Sequence, residues 1–462
     1  MPLKQSTFFP LIFFKKNENF CTGKFFAKKS YLEDKFLSFE KVPERCVLIG
    51  LSRPSESRWE VEDHLSELNA LARTSGAEVL ETFIQERAKP DSAYFIGKGK
   101  IEEIKYYIED HEADLAIFDD ELSPAQARNI EKVLNVKVID RSALILDIFA
   151  DHAQTNEARV QVELAQLNYL LPRLTRAWQH LSRQVGGIGT KGPGETQLET
   201  DRRLVRRRIS HLKQNLDKID RQKKTQRNNR TSIFSAALIG YTNAGKSTIL
   251  KALTGSDVLI EDKLFATLDT TVRRFELNSK SQILLSDTVG FIRKLPHHLV
   301  ASFRTTLTET LESDLLLHVV DVSHARFKDH VDVVVQLLDE LGAADKSRLL
   351  VFNKADRLEN QSSKLNQLKD QYPEAVFISA SRHIGLKRLQ AKLLEILESG
   401  FETRDVRINF LDGGAEHLLY PLATVLERTI DDNHIHIKIK YDKEKKTQIQ
   451  AVIDRLKSRQ PN

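Results

Sequence analysis

The stretch AALIGYTNAGKST, Ala236 to Thr248, decides how the rest of the chain is read. An apolar run leads into Gly240, the spacing Gly240-x-x-x-x-Gly245-Lys246-Ser247 follows, and TILKALTG continues as a helical pattern up to Gly255. Strand, glycine-bearing turn and helix in that order point backbone N–H groups at whatever lies before the helix N-terminus, which suits phosphate oxygens. Gly240, Tyr241, Thr242, Asn243, Ala244, Gly245, Lys246 and Ser247 are therefore expected to wrap the phosphates of a nucleotide. Lys246 would reach the β and γ phosphates and the Ser247 hydroxyl would ligate Mg²⁺.

Working towards the C-terminus, RLLVF runs into Asn353, Lys354, Ala355 and Asp356. A carboxylate at Asp356 can accept from both N1–H and the exocyclic amine of guanine, whereas adenine would oppose it with lone pairs, so GTP is expected over ATP. FISAS then offers the Ala380 N–H to the guanine carbonyl, with Ser379 bracing the loop and Ser381 counted with them in the guanine site.

Between these motifs LLSDTVGF reads as a strand ending at Asp287, followed by Thr288, Val289 and Gly290. Asp287 would hold a water on Mg²⁺ and the Gly290 N–H would sense the γ phosphate, the contact that hydrolysis releases. The other switch is expected at Phe265, Ala266, Thr267, Leu268 and Asp269. Thr267 lies twenty residues after Ser247 and twenty before Asp287 and is the favoured Mg²⁺ ligand, with Thr270 and Thr271 as alternatives. Phe291 stands where many such enzymes carry a water-orienting glutamine, so slow hydrolysis, accelerated by a partner, is expected.

Working towards the N-terminus, strand-like and helix-like patterns alternate from Cys46 to about Ala153, which implies a small parallel sheet with helical crossovers. Ser123 is expected to cap the helix SPAQARNIEKVLN. Val160, Leu164, Leu167 and Leu171 form one apolar stripe, and Leu198, Val205, Leu212 and Ile219, joined by Ile209 and Leu216, form another. Two such stripes separated by glycines read as an antiparallel helical hairpin. The connection QVGGIGTKGPGETQLETDRR holds Gly187, Gly189 and Gly192 in a G-x-G-x-x-G spacing. A helical stripe precedes it where a dinucleotide fold needs a strand, so the match reads as coincidence.

The fold class is thus α/β: a small parallel α/β domain, a basic antiparallel helical hairpin, a P-loop GTPase domain and a small α+β domain. The expected boundaries are 43–153, 154–230, 231–400 and 401–462, after an extension at 1–42. In the last domain DVRINF and HIHIKIKY read as strands around a helix AEHLLYPLATVLERT. The chain has 462 residues and a formal charge of +5, so the clustering of basic residues says more about partners than the total does. Two cysteines, Cys21 and Cys46, without metal-like spacing fit a reducing compartment, and the cytoplasm is expected. FFPLIFF in the Phe- and Lys-rich extension is too short to span a bilayer, though it keeps a partial membrane association open.

Around the nucleotide motifs the chain carries YFIGKGKIEEI, FDDELSPAQARNIE, VIDRSALILDIFA, RVQVELAQLNYLLPRL, GGIGTKGPGETQLETDRR, LFATLD and DTVGFIRKLPHHLV in order. With these it resembles the HflX-type GTPases, relatives of the Obg GTPases, from about Cys46 onward. Thr270 departs from the proline usual there. The resemblance implies a cytoplasmic GTPase that binds the large ribosomal subunit and, when GTP-bound, splits or rescues stalled or idle ribosomes under stress; a monomer is expected. It turns the basic residues of the hairpin into ribosomal RNA candidates: Arg183, Lys191, Arg202, Arg203, Arg206 and Arg207. Lys98 and Lys100 could serve RNA or an ATP on the N-terminal domain, or form a plain turn into a helix. An ATP- or GTP-dependent RNA remodelling factor and a membrane-linked regulatory GTPase are the alternative functions, and His297 and His298 are read as surface residues.

Overall fold

The computed structural model describes residues 43–174, 193–228, 233–255, 264–279, 281–294, 312–358, 362–409, 417–431, 434–443 and 446–457. Arg183, Lys191, the Gly187–Gly192 spacing, His297 and His298 lie outside them.

β1 (Arg45–Ser52), α1 (Arg58–Thr74), β2 (Glu78–Glu86), α2 (Lys98–His111), β3 (Leu115–Phe118), α3 (Pro124–Leu134) and β4 (Lys137–Asp140) alternate along the chain. The four strands form a parallel sheet in the order β2-β1-β3-β4. β1 and β3 are buried almost end to end, as central parallel strands covered on both faces must be. Ser57 opens α1 through a capping box with Glu60, and Ser123 opens α3 through one with Gln126, Pro124 occupying the first turn.

α4 (Arg141–His152) follows β4 directly, capped by the Asp140 side chain. The sequence pattern does not announce it as a helix, for a physical reason: every residue from Arg141 to Phe149 is buried, so no polar face marks a helical period.

α5 (Asn156–Leu170) and α6 (Pro193–Asn228) pack together. Glu157 pairs with Lys223 and Glu163 with Arg208, so the two helices run antiparallel. Leu164 and Leu167 meet Ile209, Leu212 and Leu216 in a narrow apolar seam.

The second sheet contains β5 (Ser235–Gly240), β6 (Thr271–Glu276), β7 (Gln282–Asp287), β8 (Leu315–Asp321), β9 (Arg348–Asn353) and β10 (Val376–Phe377). Its order is β10-β9-β8-β5-β7-β6, parallel except for the antiparallel β6–β7 edge pair. Among the described residues, α7 (Lys246–Thr254), α8 (Phe327–Glu340), α9 (Ser362–Gln371) and α10 (Leu386–Ser399) accompany this sheet. The loops after β5, β7 and β9 leave the carboxyl ends of these strands, where open α/β sheets hold ligands, and the segment before β6 enters at the same edge because β6 runs antiparallel to β7.

β11 (Phe401–Asn409), β12 (Thr424–Ile430) and β13 (His434–Asp442) form an antiparallel sheet in the order β11-β13-β12, next to α11 (Lys446–Lys457). Here the expected helix over Ala415–Thr429 is corrected: Thr424–Ile430 is an edge strand paired with β13. Pro421 interrupts any helix through this stretch, and the pairing surface of β13 overrides the local helical pattern. Among the described residues no helix is long and apolar enough to cross a membrane.

Candidate nucleotide site

β5 delivers the chain to a loop that ends as α7 begins at Lys246. Gly245, at φ 93°, sits where an added Cβ would lie 2.2 Å from Asn353 Nδ2. Only glycine fits that conformation and that approach. Asn353, at the end of β9, is buried and donates through Nδ2 to the Ala244 carbonyl at 2.9 Å. Its Oδ1 accepts from the Ala380 N–H at 3.1 Å. One side chain therefore ties the glycine loop to the SAS loop. The Ala380 N–H that the sequence reading offers to a base carbonyl is already engaged by this bond.

Lys246 is buried, its Nζ donating to the carbonyls of Gly240 at 3.2 Å and Tyr241 at 2.9 Å. Burial lowers its pKa to about 8 against the opposing pull of Asp287. Ser247 Oγ donates to Asp287 Oδ2 at 2.5 Å and lies 2.8 Å from Thr267 Oγ1. Of the three threonines considered, Thr267 is the one brought to Ser247, while Thr271 opens β6 opposite Asp287. Burial raises the Asp287 pKa despite Lys246 nearby, and its Oδ1 is buried without a hydrogen-bond partner.

Thr288 is fully buried and its hydroxyl donates to the Leu238 carbonyl at 2.7 Å. Gly290 packs so closely that an added Cβ would lie 2.9 Å from Thr242 Cα and 3.1 Å from Lys246 Nζ. Phe291 then bridges to the glycine loop: its N–H donates to the Gly240 carbonyl at 3.0 Å and its carbonyl accepts from Thr242 at 2.7 Å. The Phe291 ring is buried with Ile239, Leu316 and Leu338.

Past the end of β9, Lys354 (φ 61°) extends to Asp321, Nζ to Oδ2 at 2.8 Å. Ala355 donates to the Ile378 carbonyl at 3.0 Å. Ser379 is buried, with its hydroxyl 3.4 Å from that of Ser381. Asp356 has Oδ2 3.3 Å from Arg382 Nε, while its Oδ1 is buried without a hydrogen-bond partner.

The switch segments do not belong to the second sheet alone. Phe265, Leu268, Val289 and Ile292 share one buried cluster with Leu144, Phe149, Val162 and Tyr169 of α4 and α5. Phe265 meets Phe149 edge to face, ring centroids 4.7 Å apart. The Asp269 carboxylate accepts from the Gln154 N–H at 3.0 Å, the Thr155 N–H at 3.1 Å and the Thr155 hydroxyl, and Thr155 caps α5. Beyond Gly290, Lys294 Nζ reaches Asp119 at 2.5 Å and Asp120 at 2.9 Å, and Arg293 donates to His64. Asp119 also pairs with Arg141, which is buried and held by Glu67 on its other side.

The sequence reading misses this set of Glu67, Asp119, Arg141, Arg293 and Lys294. One signal was present: a lone arginine in the apolar run of VIDRSALILDIFA must find buried acids. Arg202, Arg203, Arg206 and Arg207 all lie on α6, the last three exposed.

A glycine loop between strand and helix, with serine, threonine and aspartate oxygens beside it and an NKxD loop on the same sheet edge, defines a P-loop GTPase. Residues 62–150 match the family model described as GTP-binding GTPase N-terminal, 152–230 the GTP-binding GTPase Middle Region, and 235–354 the 50S ribosome-binding GTPase. The GTPase HflX of Flavobacterium psychrophilum is 51% identical over 325 residues, 70% of this chain and 78% of that protein. The GTPase HflX of Caldanaerobacter subterraneus is 44% identical over 401 residues, 86% of this chain and 90% of that protein. A crystal structure of a GTP-binding protein from Sulfolobus solfataricus with GDP is 26% identical, with a TM-score of 0.42, covering 76% of this chain and 98% of that one. The chain belongs to the HflX family of GTPases, and it is a GTP hydrolase.

Proposed function

We propose that this GTPase acts as a monomer on the large ribosomal subunit, splitting or rescuing stalled or idle ribosomes, with hydrolysis timing its release. The observation that carries the reading is the shared core of switches and hairpin: Phe265, Leu268, Val289 and Ile292 pack with α4 and α5, and Asp269 holds Thr155, the residue that caps α5. A change at the γ phosphate therefore acts on the base of a basic helical hairpin, whose Arg202, Arg203, Arg206 and Arg207 would meet ribosomal RNA phosphates. The match of residues 235–354 to a ribosome-binding GTPase family supports that partner.

Ser247, Thr267 and Asp287 form an oxygen-only set, and the partnerless buried Asp287 Oδ1 suits a hard dication. Mg²⁺ would be held by the Ser247 and Thr267 hydroxyls, with Asp287 acting through water, and it would supply charge neutralisation for the phosphates. Lys246 binds the β and γ phosphates, the Gly290 N–H senses the γ phosphate, and the buried Asp356 Oδ1 accepts from the guanine amine. With its ring in the core, Phe291 leaves the attacking water unoriented, so hydrolysis is slow until the ribosome orders the switches.

The test is co-sedimentation of the protein with large subunits in a non-hydrolysable GTP analogue, GDP or an ATP analogue. Tight binding confined to the GTP analogue is expected, falling steeply with salt because phosphate contacts release counterions. Binding indifferent to the guanine nucleotide would sink the reading, and binding that needs ATP would favour an RNA remodelling enzyme.

A further inference from the structure

Tyr241 follows Gly240 in the phosphate loop, yet its side chain is buried with the core of α1, α4 and α5. Its hydroxyl donates to Glu67 Oε1 at 2.6 Å and accepts from the backbone N–H of Arg293 at 2.9 Å. The ring stacks on His330, centroids 3.9 Å apart and planes within 3°. Glu67, on α1, is itself held in place: its Oε2 meets Arg141, which is anchored in turn by Asp119 at 2.7 Å. Burial raises the Tyr241 pKa, and the Glu67 carboxylate raises it further, so the phenol keeps the proton it donates.

Arg293 lies three residues beyond Gly290. One carboxylate of the N-terminal sheet region thus braces both the loop that holds the phosphates and the chain leaving switch II. We propose that Glu67 is a positioning residue for GTP hydrolysis, acting through the Tyr241 hydroxyl to hold Arg293, and with it the Gly290 amide, in register with the phosphate loop.

The need arises from Phe291. With no side chain to orient water, the order of switch II rests on its backbone. Two bonds already tie Phe291 to Gly240 and Thr242, and the Tyr241–Arg293 bond extends that tie two residues further. Losing it leaves the Arg293 N–H and Glu67 Oε1 without these partners and loosens the backbone at the exit of the switch, which the Arg293 and Lys294 side chains continue to hold through His64, Asp119 and Asp120. Guanine recognition lies on the β9 and β10 loops and is untouched. The inference therefore predicts a loss in turnover and not in binding. It rests on the assignment of the GTPase site and is independent of the ribosome.

The experiment compares single-turnover GTP hydrolysis and GDP affinity for Tyr241→Phe and Glu67→Ala in the full chain. Tyr241→Phe keeps the ring stacked on His330 and leaves the Glu67–Arg141 pair in place. The rate in both variants should fall about tenfold, as expected for loosened positioning. KM and GDP affinity should stay within about threefold. A Tyr241→Phe rate within twofold of the parent, or an equal loss of GDP affinity, would overturn the proposal. Tyr241→Phe decides alone if Glu67→Ala fails to fold. A parent protein that hydrolyses no GTP would instead refute the site assignment itself.

Discussion

Asp356 has one carboxylate oxygen 3.3 Å from Arg382 and the other buried with no hydrogen-bond partner. A buried acceptor left without a donor costs about 1–3 kcal/mol, which a guanine amine bound there would recover. Asp356→Asn replaces one acceptor by a donor and should lower GTP affinity a hundredfold or more while favouring xanthine nucleotides, whose C2 bears an oxygen. Fluorescent GTP and XTP titrations measure both, and an unchanged GTP affinity would refute the role of this residue. The turns after β5 and β9 were legible in the sequence because each is a short contiguous pattern between a strand and a helical turn. The Tyr241–Glu67 bond was not, since its partners lie 174 residues apart and nothing local marks Glu67.

At the scale of elements, the hairpin depends on a thin apolar seam, with Leu212 only 1% exposed at its centre. Leu212→Ala should cost about 2–5 kcal/mol, since the facing helix cannot collapse fully into the space. Amide exchange should then lose protection in α5 and α6 while β5 and β8 keep theirs; uniform loss across all sheets would show that the hairpin is not a separate cooperative unit. The hairpin was legible because heptad spacing is a periodic signal. α4 and β12 were not, for opposite reasons. α4 is buried all round and shows no period, while β12 carries a helix-like pattern that pairing with β13 overrides.

On the scale of the whole molecule, the cluster that includes Phe265 and Ile292 also includes Leu48, Leu68 and Phe149, so nucleotide loops and the N-terminal sheet share one core. GDP or a GTP analogue should therefore slow amide exchange in α1 and α4, well outside the residues that touch nucleotide. Protection confined to residues 235–400 would break that link. Sequence patterns divide the chain along its length and carry no sign that Phe265, Leu268, Val289 and Ile292 share a core with α4 and α5. Such packing joins residues more than a hundred positions apart.

The length of α6 gives the Asp269 contact a mechanical meaning. Thirty-six helical residues extend about 54 Å, and the end near Lys223 lies beside Glu157, in the first turn of the helix whose cap Asp269 grips. A tilt of about 5° at that grip would sweep the Pro193 end, about 45 Å from Lys223, through about 4 Å. Any movement of Asp269 would be geared up by this arm at its far end.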